Sequence, residues 1–466
     1  MSIILSGSFG SFTNVNLAAP SATPPAPPGD PYWSNVSLLL NNTSTNNQTN
    51  NTFVDSSTNN FTITRTGTPT QGSFTPLTVA ANNSYSTTVN GGSAYFNGNG
   101  SYLYCNSNAA FSPGTGDFTI EMWVNFASVP VGGNYVGFCQ NDQVGSSGSD
   151  KFWFGYLAST GLILGRHSTP NNANCAWSPT ANTWYHIAVV RNSGTILLFI
   201  NGVSQSVNNS TVFNGLSFGQ NGFSIAGMST PVYFNGYISG FRFVNGSAVH
   251  TSTFPIPTSP PTNISGTSLL LNFTNAGMYD AATKNNLIGV GDTKVSTAQA
   301  KFGSASVVFD GVGDSLSILS NTVFGFESGN YTVEMWINSS SYSAYKTLFS
   351  NRVNNATGFA VYTAPGNAVA FATNSNVTLA SGSVLSTNTW IHIACVRNNG
   401  TVTLYVNGTS VGSVSDSRTY ASSAGVVIGD EAIYPFDGYM QDVRVTKGVA
   451  RYTSNFTPPT ASFPTY

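Results

Sequence analysis

WYHIAVVRNSGTILLFING at residues 184–202 returns as WIHIACVRNNGTVTLYVNG at residues 390–408, and this pair of stretches decides the fold. Ile196, Leu198 and Ile200 stay apolar as Val402, Leu404 and Val406, while Leu197 between them becomes Thr403. A position that tolerates a hydroxyl between positions that do not is the period-two mark of a strand with one buried face. Asn201-Gly202 and Asn407-Gly408 follow directly, and Asn-Gly supplies the positive φ values of a type I′ hairpin turn, so another strand must fold back.

The repeat extends outward in unchanged order. FTIEMWVN at residues 118–125 matches YTVEMWIN at 331–338, and FNGYISGFRFVNGSAVHTSTF at 234–254 matches FDGYMQDVRVTKGVARYTSNF at 436–456. Upstream, SAYFNGNGSYL at 93–103 matches SVVFDGVGDSL at 306–316, and SLLLN begins at both Ser37 and Ser268. In FTIEMWVN the alternation puts Phe118, Ile120, Met122 and Val124 on the core face and Thr119, Glu121, Trp123 and Asn125 on the other. Helical signals are confined to short turns, such as one around Ala298 to Lys301.

Proline sets the boundaries. PSATPPAPPGDP at residues 20–31 should be extended and semi-rigid, and FPIPTSPP at 254–261 separates the copies, since proline cannot continue a ladder. The reading is an anchoring segment and linker over residues 1–31, a first sandwich over 32–261 and a second over 262–466. A chain of 466 residues suits two such domains.

Composition removes several function classes. Only 7% of residues are charged, against about a quarter in typical domains, and the net charge is -2 with 15 Lys and Arg in all, which gives no electrostatic footprint for nucleic acid or an anionic membrane. Residues 1–12, MSIILSGSFGSF, lack the basic and apolar regions of a secretory signal, and no apolar run approaches the ~20 residues of a membrane helix, so synthesis in a cytoplasm is expected. Cys105, Cys139, Cys175 and Cys395 show no CxxC spacing and read as reduced, buried small hydrophobes.

At these repeated blocks the sequence resembles the concanavalin A-like lectin and glucanase superfamily, in its laminin G-like branch, over nearly everything from Val36 onward. FTIEMWV, WYHIAVVRNSGTILLFING and FNGYISGFRF carry the resemblance, with their second-copy partners. GVARYTSNFTPP, from Gly448, is similar to a stretch of domains in tailed-phage structural proteins, with residues 246–254 a looser version. The resemblance implies an all-β chain of two tandem antiparallel jelly-roll sandwiches with a short N-terminal extension, and a binding or structural role.

Glucanases of this superfamily use paired carboxylates, which would make Glu121 and Glu334 catalytic. The same-face neighbours that would complete a pair are Trp123 and Trp336, with Asn125 and Asn338 nearby, so the second acid is missing. Glu121 and Glu334 read as strand carboxylates hydrogen-bonded within the sheet, and the chain as a non-enzyme. His186 and His392 at matching places read as structural, and His167 and His250 are solitary, which leaves zinc without ligands. Calcium is the metal that the resemblance brings into question. Asp310, Asp314, Asp430, Glu431 and Asp437 are the available carboxylates, all in the second copy, where the first has Asn97, Ser101, Met228, Ser229 and Asn235. Glycan contacts would come from the loops that differ most between copies: Tyr135, Asp142 and Trp177 in the first, and Tyr345, Arg352 and Tyr362 in the second.

The expectation is a non-enzymatic virion surface protein, a capsid decoration, fibre or tail-fibre component. Residues 1–19 would bind other virion proteins and the two sandwiches would face outward, in a homo-oligomer such as a trimer. The alternative is an adhesin that attaches to host surface polysaccharide.

Overall fold

The structure is a computed structural model that describes residues 29–142, 151–166, 172–219, 221–228, 232–352, 358–373 and 376–466. The expected anchor, His167 and Ser229 lie outside the described residues. Among the described residues, helix is confined to one four-residue turn, Thr87–Asn90, and three 3-10 turns, and no helix is long and apolar enough to cross a membrane. The stretch around Ala298 to Lys301 is a bend instead of a helical turn, because Lys301 and Phe302 donate their N–H groups to Gln441 Oε1, 2.7 and 3.2 Å away.

Each half builds two facing antiparallel sheets, an outer one of eight or nine strands and an inner one of seven. The outer sheets centre on Phe118–Phe126 and Tyr331–Asn338, each flanked by Trp184–Asn192 or Ile391–Asn398 on one side and by a long strand, Asn235–Asn245 or Asp437–Lys447, on the other. Phe118, Ile120, Met122 and Val124 face inward onto Phe138, Phe154 and Leu164, and Tyr331, Val333, Met335 and Ile337 do the same onto Phe349, Val361 and Phe371. The hairpin turns form as the Asn-Gly pairs require, with φ of 50° and 75° at Asn201 and Gly202, and 47° and 77° at Asn407 and Gly408. A Cβ at either glycine would lie 2.2 or 1.8 Å from the carbonyl oxygen of Phe254 or Phe456, so only glycine fits. All four cysteines are free and buried.

The face of Phe118–Phe126 opposite the core is buried as well, with Trp123 only 8% exposed. The segment after each long strand folds back over it as a strap. Thr119 Oγ1 donates to Ser247 O and accepts from Val249 N, and Thr332 Oγ1 repeats both bonds with Val449 O and Arg451 N. GVARYTSNF and its looser first copy are these straps.

The boundary at 261/262 is where the structure departs from the sequence division, because the two SLLLN strands are exchanged. Thr267–Leu271 pairs with the long strand of the first sandwich, with Leu270 opposite Arg242, and puts Leu269 and Leu271 into the first core. Val36–Asn42 pairs with the long strand of the second, with Leu39 opposite Arg444, and puts Leu38 and Leu40 into the second core. An aspartate locks each strand in place. Asp55 accepts from Leu270 N, Ser57 N and Phe61 N; Asp280 accepts from Leu39 N, Ala282 N and Lys284 N. The first long strand thus takes the closing strand that follows it along the chain, and the second takes the one that precedes the first sandwich. The two ends of the described body consequently meet. Asp30 N donates to Tyr466 O at 2.7 Å, and the Asp30 carboxylate pairs with Arg444 and Arg451.

Candidate functional site

Glu121 and Glu334 sit beneath the straps, each saturated with donors. Arg242 reaches Glu121 Oε1 from Nε at 2.8 Å and from Nη2, while His250 Nε2 lies 3.0 Å and His186 Nε2 3.4 Å from Oε2. Arg444 reaches Glu334 Oε1 from Nε at 2.9 Å and Nη2 at 2.7 Å, Tyr452 OH donates to Oε2 at 2.8 Å, and His392 Nε2 is 3.3 Å away. Burial opposes ionisation at both. At Glu334 the Arg444 charge and the His392 and Tyr452 contacts override it and hold the carboxyl at about 2. At Glu121 hydrogen bonds from His186 and His250 and the Arg242 charge hold it well below the usual range. A carboxylate ionised at neutral pH, 3% or less exposed and already paired has no proton to give. The sequence reading missed Arg242 and Arg444, although FRFV and VRVT carry the arginine at one register. It also missed that His250 and Tyr452 are equivalents, each stacked on its own phenylalanine, Phe254 or Phe456, at 3.7 and 3.5 Å.

The candidate site lies on the inner sheet of the second sandwich. Tyr362 on Phe359–Ala364, Tyr345 just before Lys346–Ser350 and Arg352 just after it converge with Tyr434 around a cavity of about 650 Å³. The tyrosine rings touch one another, at 5.6 Å between Tyr362 and Tyr434, 5.9 Å between Tyr345 and Tyr434, and 6.4 Å between Tyr345 and Tyr362. Arg352 makes a two-point ion pair with Glu431, Nε to Oε1 at 2.8 Å and Nη2 to Oε2 at 2.9 Å, and Tyr362 OH donates to Glu431 Oε2 at 2.5 Å. Burial, followed by the hydrogen bond to Glu431, pushes the Tyr362 hydroxyl far above its ordinary value, so it stays a donor. Glu431 is itself held in place, its N–H donating to Thr347 Oγ1. The floor is small, with Ala372 beneath the rings, and Ile433 stands 70% exposed at the lip. The three second-copy residues expected to meet a glycan are therefore brought together. Glu431, expected as a metal ligand, joins them, and Tyr434 and Ile433 are additions that the sequence reading lacked.

The first copy closes the same face. Asn141 Oδ1 accepts from Phe152 N as Asn351 Oδ1 accepts from Phe359 N, which aligns the two inner sheets and sets Asp142 at the place of Arg352, Gly155 at that of Tyr362, and Trp153 at that of Ala360. Trp153 lies down over Gly165, where a Cβ would come within 2.3 Å of its ring, and Met228 lies over Gly137 in the same way. The first-copy glycan candidates are not gathered. Tyr135 opens the strand Tyr135–Gln140 and tilts onto Trp153 at 5.8 Å, whereas Asp142 lies beyond its other end, buried and paired with Lys151 at 2.7 Å. Trp177 packs edge-on against Phe126, Tyr156 and Tyr185 at the margin of the core.

The five metal candidates divide into separate places. Asp310 and Asp314 come together with Asp292, their carboxylate oxygens within 4.8 Å of one another. Asp314 already accepts the N–H groups of Asp292 and Asp310, which is how an aspartate holds a turn. Asp437 pairs with Lys346, and Asp430 accepts from Tyr434 N.

A laminin G-type model of the concanavalin A-like lectin/glucanases superfamily matches residues 96–252 and again residues 310–451, more than half of the chain. The chain belongs to that superfamily. No curated protein matches it in sequence. Solved structures similar to this superfamily member include domains LG4-5 of the mouse laminin alpha1 chain, 9% identical with a TM-score of 0.29 over 82% of this chain and 96% of that one. Domain 4 of a GH43 extracellular arabinanase from Geobacillus stearothermophilus, in complex with arabinotriose, is 17% identical with a TM-score of 0.30 over 37% of this chain and 87% of that one. The binding domain of Paraclostridial Mosquitocidal Protein 1 is 15% identical with a TM-score of 0.31, and the match spans 36% of this chain and under half, 46%, of that one.

Proposed function

We propose that this chain is a non-enzymatic carbohydrate-binding protein and that the second sandwich holds the sugar. The observation that carries the proposal is the cleft where the exposed Tyr345 ring and the half-buried Tyr434 ring stand over the buried Tyr362 and beside a fixed donor–acceptor pair, Arg352 and Glu431. A pyranose ring presents the complementary surface, C–H groups on one face and hydroxyls at the edge, and the aromatic rings and polar groups of a pocket divide those tasks. The opposite charges of Arg352 and Glu431 cancel, which suits a neutral saccharide. The wild-type chain should bind neutral oligosaccharides on a glycan array and in calorimetric titration. Tyr434→Ala and Tyr345→Ala, each removing a ring from the cleft, should each weaken binding by more than about tenfold, ~1.4 kcal/mol, with the fold intact by circular dichroism. A broad array without a saccharide that binds, or unchanged affinity in both variants, would contradict the proposal.

We also infer display on a particle, the N-terminal segment bound to other virion proteins and the clefts turned toward host polysaccharide, where arrayed copies add avidity. Asp30, its side chain 1% exposed and clamped by Arg444 and Arg451, supports this reading, because it roots the upstream segment firmly in the folded body. Chain lacking residues 1–28 should fold and fail to attach to particles; attachment without them would overturn the inference.

A further inference from the structure

The slot beside the Asp437–Lys447 strand selects its occupant by rules that are now explicit. It takes two leucines inward, Leu38 and Leu40, accepts one backbone N–H, that of Leu39, on Asp280, and pairs with Val445 and Arg444 in antiparallel register. The slot beside Asn235–Asn245 takes Leu269 and Leu271 inward, accepts Leu270 N on Asp55, and pairs with Phe243 and Arg242 in the matching register. The occupants are the same five residues, SLLLN. The leucines of SLLLN therefore do not address a strand to its own slot, and connectivity and the flanking residues decide which strand enters which.

The unit that is handed over is longer than one strand and has a defined hinge. It begins at Asp30, tied to Tyr466 O, Arg444 and Arg451, and continues past Asn42 along the second sandwich, where Thr43 N donates to Gly277 O, Asn47 N to Val295 O, and Val295 N to Gln48 O. Asn50 ends it, its side-chain amide donating to Met278 O and Leu287 O. Three residues later Phe53 is already in the first core. Residues 30–50 are thus an arm that grows from the first sandwich and is held mainly by the second, with Gln71 N of the first donating to Asn50 O at 3.0 Å beside the pivot at Asn51 and Thr52.

We propose that this arm is an exchange interface between copies of the chain: residues 30–50 of one copy fill the slot beside Asp437–Lys447 of another, linking copies head to tail. The slot contacts described above are kept in such a link, and the Gln71 N–Asn50 O bond beside the pivot must open. An intramolecular strand is presented at an effective concentration of about millimolar. The closed monomer therefore dominates in dilute solution, and linked copies form when chains refold at high concentration or are crowded at one place.

The test uses the full chain in two isotopic masses, unfolded, mixed and refolded at low and at high protein concentration, then separated by size and weighed by native mass spectrometry. Dilute refolding should return monomers. Concentrated refolding should yield dimers and larger species of mixed mass that persist on dilution and fall apart only through unfolding. A double variant, Val36→Cys with Thr446→Cys, replaces residues that face each other across the slot. Its 36–446 disulfide should lie within one chain in the monomer and between chains in the dimer, read on a non-reducing gel. Should the double variant fail to fold, the isotope experiment on the wild-type chain decides by itself. Monomers at every concentration, dimers that dissociate freely on dilution, or dimers whose 36–446 bonds are all within one chain would overturn the proposal.

Discussion

The inner sheets of the two sandwiches are built on one register and end with opposite surfaces. In the first, Trp153 and Met228 lie flat because Gly165, Gly155 and Gly137 leave room beneath them. In the second, Ala360, Tyr362 and Ala372 take the places of Trp153, Gly155 and Gly165, Tyr434 packs against them, and an open cleft forms beside it. Duplication preserved the scaffold while a few small-for-large exchanges decided which copy presents a concave polar site. The same division appears on the outer sheets. Glu334 is enclosed by Arg444, Tyr452 and Arg451, whereas a cavity of about 370 Å³ bounded by Trp123, Phe254 and the prolines of residues 255–261 reaches Glu121.

The largest expected effect sharpens that outer-sheet contrast. Glu334→Ala takes one carboxylate from the buried Arg444 guanidinium, leaving that of Asp30, and strips the Tyr452 hydroxyl of its acceptor, and should cost about 3–5 kcal/mol in urea unfolding. Glu121→Ala should cost less, since water can enter beside Arg242; equal losses would show that the two sites are equally closed. On the inner sheet, Gly165→Ala forces the Trp153 ring off its seat and should cost about 1–3 kcal/mol. The reciprocal Ala372→Gly removes only a methyl group beneath Tyr434 and should cost about 1–2 kcal/mol, from lost burial and backbone entropy.

A smaller contrast is pH-dependent. Asp442 occupies the left-handed position, φ 52°, that Gly240 holds in the first copy at 55°. Burial pushes its carboxyl up to about 6, against the lowering effects of the Phe463 amide and Arg444. Between about pH 4 and 6 the folded chain keeps a proton that the unfolded chain releases, so this contribution to stability is full below pH 4 and lost as pH rises through 6. Asp442→Asn keeps an acceptor for Phe463 N and tolerates the backbone. Its stability relative to wild type should rise by about 1–3 kcal/mol from pH 4 to pH 7, measured by thermal unfolding across that range. Asp280, also raised to about 6 by burial, remains in both proteins as a common background.

Much of this was legible in the sequence. Period-two alternation located the core faces, and the Asn-Gly pairs fixed both hairpins. Tyr345, Arg352 and Tyr362 stood out because the copies diverge there. Three things were not legible, each for a physical reason. SLLLN carries no address, so the exchange of closing strands could not be read from matching words. The cover over Thr119, Glu121 and Trp123 did not show, because polarity alone does not reveal a strap that satisfies them. Tyr434 was hidden because the turn carrying it, after Ile428, has no matching aromatic residue in the first copy.

Native-state hydrogen exchange on Leu38→Ala tests the exchanged architecture most directly. Leu38 lies in the first sequence repeat but in the second core. Its truncation should speed amide exchange across Tyr331–Asn338 and Ile391–Asn398 and leave Phe118–Phe126 and Trp184–Asn192 protected. Loss of protection confined to Phe118–Phe126 and Trp184–Asn192 would contradict the account.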